Sequence, residues 1–428
     1  MDLCMRHTDE NIYSELVGRR ASLAVIGLGY VGLPLAIEFA KHFNVIGYDI
    51  DRSRIDNLCD EFGESNASLK FTYSEDDLKA ASFFVIAVPT PVDNDRKPDL
   101  RPLLDATHTV GRNMCRGSHV VYESTVYPGC TEEYCVPLLE RESGLVCGVD
   151  FKVGYSPERI NPNDRAHSIV NTVKIVGACD EEALNCIADV YGMIVSAGMH
   201  KVSCIKVAEA AKILENVQRN INIALMNEVS ILFSKVGIDM AEVVGAASTK
   251  WNFMDYVPGL VGGHCIPVDP LYIVSMAEKH GVEMPLVNTG CAINDGMPAY
   301  IVRSVMNRIV GGNPVRALIM GVAFKENIGD IRNSLAAQIA RLLEAASVEV
   351  DIMDPYADSG MVEEMYGLKL KSEPCAPYDL IIVAVAHDCY ASLDDEYFRS
   401  IARNENTLLA DVKWAYKGRI TSLKYWSL

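Results

Sequence analysis

A chain of 428 residues, 49% hydrophobic and 22% charged, has the composition of a globular protein and room for two or three domains of about 150 residues each. Its formal charge of −18 at pH 7 excludes a surface built for nucleic acid or an anionic membrane, and an anionic small ligand would need its own local Lys and Arg. Thirteen cysteines, an odd number without C-x-x-C pairs or zinc-type spacing, read as small buried hydrophobes in a reducing compartment, and no metal is expected.

The first twenty residues, Met1 to Arg20, are charge-rich and lack an apolar core segment, so no signal peptide is expected and the reading is cytoplasmic. The most apolar stretch, Leu23–Ala40, carries Gly27, Gly29, Gly32, Pro34 and Glu38, which suit a strand, a turn and a helix rather than a membrane span. Short apolar runs at Leu23–Ile26, Asn44–Tyr48, Phe83–Val88, His119–Glu123, Phe151–Gly154 and Lys174–Val176 alternate with helix-like stretches, the pattern of a parallel sheet wrapped by helices. From Cys204 to Val236 there is no Gly or Pro, and Val207, Ala211, Leu214, Val217, Ile221, Leu225, Val229 and Leu232 recur every three or four residues. This predicts one long amphipathic helix, suited to bridging two domains or to a dimer seam. A Gly/Pro-rich loop spans Pro258–Pro270, helix-like sequence continues to about Val310, and Gly311-Gly312-Asn313-Pro314 reads as a linker. Three more parallel strands follow at Ala317–Met320, Val348–Met353 and Leu380–Val385, with a helix around Leu335–Ala346. The predicted class is α/β: two Rossmann-like domains with parallel sheets, joined by a long central helix and a helical middle region. The domains are placed at residues 1–203, 204–312 and 313–428.

Gly27-Leu28-Gly29-Tyr30-Val31-Gly32 matches G-x-G-x-x-G directly after a predicted strand and before a predicted helix. In that context the first glycine permits the tight turn, the second a close approach of pyrophosphate, and the third close packing of helix on strand. Asp49, at the end of the second strand, is placed to hydrogen-bond the adenosine ribose and to repel a 2′-phosphate, so NAD is preferred over NADP. Arg54 is expected to lie over the adenine.

Gly262-Gly263-His264-Cys265-Ile266-Pro267-Val268-Asp269-Pro270 is the second dense motif. Its residues alone allow a buried Cys in a tight turn or a thiolate nucleophile in an electropositive pocket. A metal held by His264, Cys265 and Asp269 is disfavoured because no further ligands stand at suitable spacing. A dinucleotide together with a poised thiol hints at a four-electron oxidation, since a thiolate can trap an aldehyde, surrender a second hydride and leave a thioester. Lys212 and Asn216, i and i+4 on the long helix, are able to stabilise an oxyanion or hold a water. Helical spacing by itself favours the plainer reading, that both are solvated or helix–helix polar residues.

The motifs together resemble the UDP-glucose/UDP-mannuronic acid dehydrogenase family, the nucleotide-sugar 6-dehydrogenases. The resemblance rests on GLGYVGLPLA at Gly27–Ala36, AVPTP at Ala87–Pro91, ESTVYPG at Glu123–Gly129, SPER at Ser156–Arg159, the Lys212 helix, GGHCIPVDP, and GVAFKENIGDIRNS at Gly321–Ser334. It implies oxidation of a sugar C6 alcohol to the carboxylate with two NAD consumed, and a homodimer, open to higher assembly, organised on the central helix. It implies Cys265 as nucleophile and Lys212 with Asn216 as the pair that stabilises the oxyanion and positions water, which reverses the plainer reading. It further implies Asp269 and Thr125 acting on the hydrolytic water and Glu158 in acid/base work. Tyr30, Val31, Thr90, Thr125 and Arg332 join the glycines, Asp49 and Arg54 as cofactor contacts. Glu158, Arg159, Lys212, Asn216, Gly262 and Lys325 are assigned to the substrate, with Lys250 reaching the substrate of the neighbouring subunit. Lys212, Lys250, Lys325 and Arg159 would supply the positive site that a UDP-sugar needs on an acidic chain.

Two departures from the UDP-glucose enzymes, Pro162 where those carry a second Glu and the segment Thr249-Lys250-Trp251-Asn252-Phe253, resemble the branch acting on UDP-N-acetylhexosamines: UDP-GlcNAc, UDP-GalNAc or UDP-ManNAc. The expected role is supply of surface-polysaccharide precursors. Competing readings are a UDP-glucose 6-dehydrogenase, a two-electron hydroxyacid dehydrogenase, and a non-catalytic NAD-binding sensor or scaffold. About twenty residues precede the first strand as an extension without an assigned role.

Overall fold

The computed structural model describes residues 11–63, 67–93, 95–159, 168–309, 315–375 and 377–428. Pro162, the 311–314 linker and the first ten residues fall outside them. The chain divides into two compact units, Met1–Glu215 with Leu271–Val282, and Asn216–Pro270 with Glu283–Leu428. No helix among the described residues is long and apolar enough to cross a membrane.

The first unit is built on strands β1 (Ser22–Ile26), β2 (Asn44–Tyr48), β3 (Leu69–Thr72), β4 (Ala81–Ile86), β5 (His119–Tyr122), β6 (Lys152–Tyr155), β7 (Lys174–Ala178) and β8 (Met199–Lys201). They lie in the order β3-β2-β1-β4-β5-β6-β7-β8. Strands β1, β4 and β5 are apolar and buried along almost their whole length, as strands covered by helices on both faces must be. The covering helices are α1 (Ile12–Val17), α2 (Gly32–Ala40), α3 (Arg52–Phe62), α4 (Arg101–Asn113), α5 (Val136–Ser143) and α6 (Glu181–Gly192). Helix α1 belongs to the N-terminal extension: Ile12 and Leu16 join the hydrophobic core, and Tyr13 OH donates to Met193 Sδ at 3.3 Å. The sheet departs from the expected all-parallel pattern at β7, which pairs antiparallel with β6. Antiparallel neighbours need no helical crossover, and the sequence between these strands carries no helical periodicity. Strands β3 and β8 were not expected from sequence. The first is a partly exposed edge strand and the second spans three residues, so neither has a long apolar run.

Helix α7 (Ile205–Val236) runs for 32 residues, as its uninterrupted periodicity predicts. Its apolar residues do not all face a core, however. Ile213, Val217 and Ala224 are buried, whereas Leu214, Leu225 and Leu232 are each more than half exposed. After α8 (Met240–Ala247) and α9 (Asp269–Lys279), helix α10 (Pro285–Met306) leads to the second sheet.

That sheet consists of β9 (Arg316–Met320), β10 (Glu349–Met353), β11 (Leu380–Val383), β12 (Leu408–Asp411) and β13 (Lys424–Ser427), all parallel, in the order β10-β9-β11-β12-β13. The last two strands extend the three expected from sequence. Helix α11 (Leu335–Ala345) buries Ala336, Ala337, Ile339, Ala340 and Leu343 in one core with Met297, Ile301 and Val305 of α10. Helices α12 (Ser359–Tyr366) and α13 (Asp395–Ile401) complete the unit. In both sheets the chain reverses direction of travel across the sheet beside the first strand, between β1 and β4 and between β9 and β11. Open α/β sheets bind ligands at the carboxyl ends of strands at such points.

Candidate active site

In the first unit the three glycines of the G-x-G-x-x-G turn have three different surroundings. Gly27 has φ +90°, and a Cβ there would stand 2.9 Å from the carbonyl of Ala87 at the end of β4. A Cβ on Gly32 would lie 1.8 Å from the Gly27 carbonyl, so α2 can start this close to the β1 turn only with glycine. Around Gly29 nothing stands within 4 Å of an added Cβ, which leaves a cradle open over the backbone. Val31, at the N-cap of α2, makes no side-chain cap bond, and the helix presents its first N–H groups and positive dipole end to that space. These residues fit a dinucleotide pyrophosphate.

Asp49 follows β2, where its carboxylate is fixed by two backbone donors, Leu28 N–H at 2.8 Å and Asp51 N–H at 3.0 Å. Arg54 donates to the Leu28 carbonyl at 3.1 Å and lies 3.9 Å from Asp49, while Tyr30 is exposed. The turns after β4 and β5 are tied together by Ser124 Oγ donating to the Val88 carbonyl at 2.7 Å. Tyr272 OH donates to the Thr90 carbonyl at 2.9 Å, which pins the same turn from another side. Half-buried Thr90 and Thr125 thus stand on braced backbone at the carboxyl ends of β4 and β5.

Glu209, one turn before Lys212 on α7, is fully buried and accepts the N–H groups of Gly129 at 2.5 Å and Thr131 at 3.0 Å. Burial pushes its carboxyl up to about 7 against the pull of those donors. Lys212 is itself buried at 8% exposure, so the solvated reading of this residue does not hold. Glu158 accepts from the Arg159 N–H at 2.6 Å, and Arg159 pairs with Glu215 at 2.7 Å. The positive charge of Arg159 is therefore already matched within this unit.

In the second unit the Cys265 loop is organised by amides. Asn227 donates to the Gly259 carbonyl at 3.1 Å and accepts its N–H at 2.8 Å; Asn220 donates to the Ile266 carbonyl at 3.1 Å; Asn216 donates to Asp269 Oδ2 at 2.5 Å. Spaced four and eleven residues from Asn216, the other two share its helix face. Sequence reasoning singled out Asn216 alone, although three amides on one face of an apolar helix are a readable signal. Half-buried Cys265 opens a turn in which its carbonyl accepts the N–H groups of Val268 at 3.1 Å and Asp269 at 2.8 Å. Asp269 is 2% exposed, a buried carboxylate beside a neutral amide.

The loop after β9 packs on this turn. Gly263 has φ +85° and would bring a Cβ to 2.8 Å from the Phe324 ring. Arg332 accepts the Gly263 N–H on its carbonyl, contacts His264 Nδ1 at 3.1 Å and pairs with Asp330 at 2.5 Å. Gly262 and Lys325 line a cavity of about 10 Å³ with Phe324, Val385 and Lys413, the last paired with Glu326 at 3.0 Å. Asp354 anchors the β9 turn as Asp49 anchors the β1 turn, accepting Val322 N–H at 2.7 Å and Ala323 N–H at 2.9 Å. Burial would raise its carboxyl, but the His387 bond and the backbone donors outweigh it and hold the group at about 2. Asn327 N–H donates to His387 Nδ1, so Nε2 carries the proton given to Asp354. Lys250 is exposed on the turn after α8. Among the described residues no cluster of three or more His, Cys, Asp or Glu is placed to hold a metal.

Comparison with known proteins gives a match along most of the chain. Residues 21–195 match the NAD binding domain of the UDP-glucose/GDP-mannose dehydrogenase family, 206–296 its central domain and 318–418 its UDP binding domain. The chain is 45% identical over 396 residues to Protein CapL of Staphylococcus aureus, spanning 89% of this chain and 93% of that one. It is 44% identical over 407 residues to the UDP-N-acetyl-D-glucosamine 6-dehydrogenase of Pseudomonas aeruginosa, spanning 92% and 96%. A solved UDP-D-ManNAc dehydrogenase from Pyrococcus horikoshii matches with a TM-score of 0.86 at 30% identity, covering 95% of this chain and 98% of that one.

Proposed function

The chain belongs to the UDP-glucose/GDP-mannose dehydrogenase family, and from that premise we propose that it oxidises the C6 hydroxyl of a UDP-N-acetylhexosamine to the uronic acid, reducing two NAD per sugar. It is an NAD-dependent nucleotide-sugar dehydrogenase; the sugar and the route are the proposal. The relative from Pseudomonas aeruginosa makes UDP-N-acetylglucosamine the first sugar to test. The observation that carries the covalent route is the Cys265 turn, fixed by Asn216 and Asn220 beside a buried carboxylate.

NAD, when bound, accepts the hydride of each oxidation. Gly27, Gly29, Gly32 and the start of α2 would hold its pyrophosphate, and Asp49 its ribose. The sugar alcohol loses a proton and a hydride to give the aldehyde, with Glu158 in acid/base work. The Cys265 thiolate adds to that aldehyde, and Lys212 and Asn216 stabilise the oxyanion that forms. Loss of a second hydride leaves a thioester on Cys265. Water, activated by Asp269 and Thr125, cleaves the C–S bond and releases the carboxylate and the thiol. Lys325 and Gly262 belong to the UDP-sugar subsite, joined by Lys413. Tyr30, Val31, Arg54, Thr90 and Arg332 complete the cofactor contacts, and Lys250 serves the neighbouring subunit.

The assembly in this reading is a homodimer formed through the central 204–312 region. The exposed Leu225 and Leu232 on α7 support it, because apolar residues of that kind mark contact sites when they gather on one face. The reaction is placed in the cytoplasm and feeds surface-polysaccharide synthesis.

The test is product counting. Wild-type protein with NAD and UDP-N-acetylglucosamine should yield two NADH per sugar and the free acid, whereas Cys265→Ser should stop short of the acid. Undiminished acid formation by that variant would remove the covalent route. Faster turnover of UDP-glucose in a parallel assay would transfer the activity to that sugar.

A further inference from the structure

The segment carrying Glu158 is held by three consecutive residues at the start of β7. Ser156 Oγ donates to the Ile175 carbonyl at 2.8 Å, Lys174 Nζ to the Pro157 carbonyl at 3.0 Å, and Arg159 Nη1 to the Val173 carbonyl at 2.7 Å. This grip depends on the antiparallel course of β7. Running against β6, β7 places its first residues at the carboxyl ends of β5 and β6, the edge that bears Thr125 and Glu158.

Lys174 is the unusual member. Its side chain is 5% exposed, in a strand otherwise made of Ile175, Val176, Gly177 and Ala178. Its second bond, 2.7 Å, goes to Glu123 Oε2, on a side chain with no exposure at all. The other oxygen of Glu123 accepts Tyr191 OH at 2.7 Å, and Lys174 Nζ lies 5.2 Å from the centre of the Tyr191 ring. A buried ion pair is a weak source of stability, because desolvating two charges offsets their attraction and apolar residues of similar volume serve as well. A geometric role explains its presence better. Glu123 directly precedes Ser124 and Thr125, and its N–H donates to the Ile86 carbonyl at 2.9 Å. One ammonium therefore joins the root of the Thr125 turn to the backbone next to Glu158.

We propose that Lys174, held by Glu123 and Tyr191, is a positioning residue that fixes the Glu158 segment relative to the Thr125 turn during the oxidation. This rests on the roles given above to Thr125 and Glu158. Burial first, with the negative charge of Glu158 adding to it, pushes the Glu123 carboxyl up to about 7 in spite of Lys174.

The full-length protein tests this with Lys174→Met and the neutral pair Glu123→Gln/Lys174→Met, assayed with NAD and the UDP-sugar that the wild type turns over fastest. Lys174→Met alone leaves the buried Glu123 carboxyl without its cationic partner and should lower the thermal midpoint, which the neutral pair should restore. In both, kcat should stay about 10- to 100-fold below wild type, because the Pro157 carbonyl has lost its donor, while NAD affinity stays within about twofold. Tyr191→Phe, which deletes one hydroxyl, should fold and lose about threefold in kcat. A purely structural pair would regain kcat together with stability, and wild-type kcat in the neutral pair would overturn the proposal. Thr125→Ala and Glu158→Gln are measured in the same series. If both are impaired beside an unimpaired Lys174→Met, the positioning role alone falls; if both turn over at the wild-type rate, the reading beneath it falls as well.

Discussion

The glycine turn yields a prediction in which stability and cofactor binding move independently. In Gly32→Ala the new methyl begins 1.8 Å from the Gly27 carbonyl, and a contact shorter than 3.0 Å is essentially never found, so α2 must withdraw by at least about 1.2 Å. The main obstacle is the Gly27 backbone, which cannot rotate away, with the buried, β-branched Val25 side chain at 3.3 Å on another side. Overpacking of this kind costs about 3 kcal/mol, which in a unit of some 200 residues lowers the melting midpoint by about 6 to 12 °C. The retreating helix also carries its N–H groups away from the phosphates, so NAD affinity should fall at least tenfold, about 1.4 kcal/mol. Gly29→Ala is the counterpart. Its methyl meets nothing within 4 Å, so the melting midpoint should stay within about 1 °C of wild type, yet NAD should bind at least about tenfold more weakly because the methyl occupies the cradle. Differential scanning fluorimetry and titration calorimetry with NAD separate the two. Wild-type NAD affinity in Gly29→Ala would refute the placement of the pyrophosphate over that residue, and an unchanged midpoint in Gly32→Ala would refute the packing argument.

Further outcomes follow from single side chains. Asp49→Asn keeps the shape of the side chain but removes its charge, and should shift the NAD/NADP affinity ratio toward NADP by about tenfold in a side-by-side titration. The Glu209 carboxyl is raised from 4.5 to about 7, so its contribution to stability is complete below 4.5 and is lost as pH rises through about 7. Wild type should therefore lose stability relative to Glu209→Gln between pH 5 and pH 8, by up to about 3 kcal/mol, and parallel unfolding curves at the two pH values would contradict this. Asn227→Ala strips the donor and acceptor that hold Gly259, together with the 2.9 Å bond to Asn294, and should cost about 2 to 4 kcal/mol in thermal or urea unfolding with NAD affinity retained.

What could be read in the sequence followed from how local each signal is. The β1 turn, Asp49 and the run of α7 are set by neighbouring residues, and the structure places them within a residue or two of expectation. Strands β12 and β13 escaped because LLAD and KYWS are four-residue segments without alternation or a hairpin signal, and only pairing with β11 makes them strands. The direction of β7 escaped for a related reason, since an apolar run reads the same in either direction. Within the candidate site, the Cys265–Asp269 motif stood out and Lys212 entered through the family resemblance, whereas the residues that brace the surrounding turns did not. Glu209, Lys174, Asn220 and Asn227 act on backbone groups distant in sequence, and Glu123 on the side chains of Lys174 and Tyr191, so nothing local to each reveals its partner.

The use of amides around Cys265 has a physical logic that connects to the charge of the chain. At −18 the protein must receive a UDP-sugar, itself an anion, and in the proposed route must also hold a thiolate. Every carboxylate used to brace that loop would add to the repulsion on both, with little water to screen it. Asn216, Asn220 and Asn227 brace it without charge, their NH2 groups donating to Asp269 and to the Ile266 and Gly259 carbonyls, where an ionised carboxylate has no proton to give. An amide can also donate and accept at once, as Asn227 does at Gly259. Carboxyl groups are the bracing groups elsewhere: Asp354 under the β9 turn, where backbone N–H groups and His387 welcome its negative charge, and Glu209 under the Gly129 turn, where burial opposes the charge that its N–H donors favour. Asp269 is the exception, a carboxylate inside the amide-braced loop, buried and bonded to Asn216. In the proposed route it is the base that activates water against the thioester, held in place by the Asn216 amide.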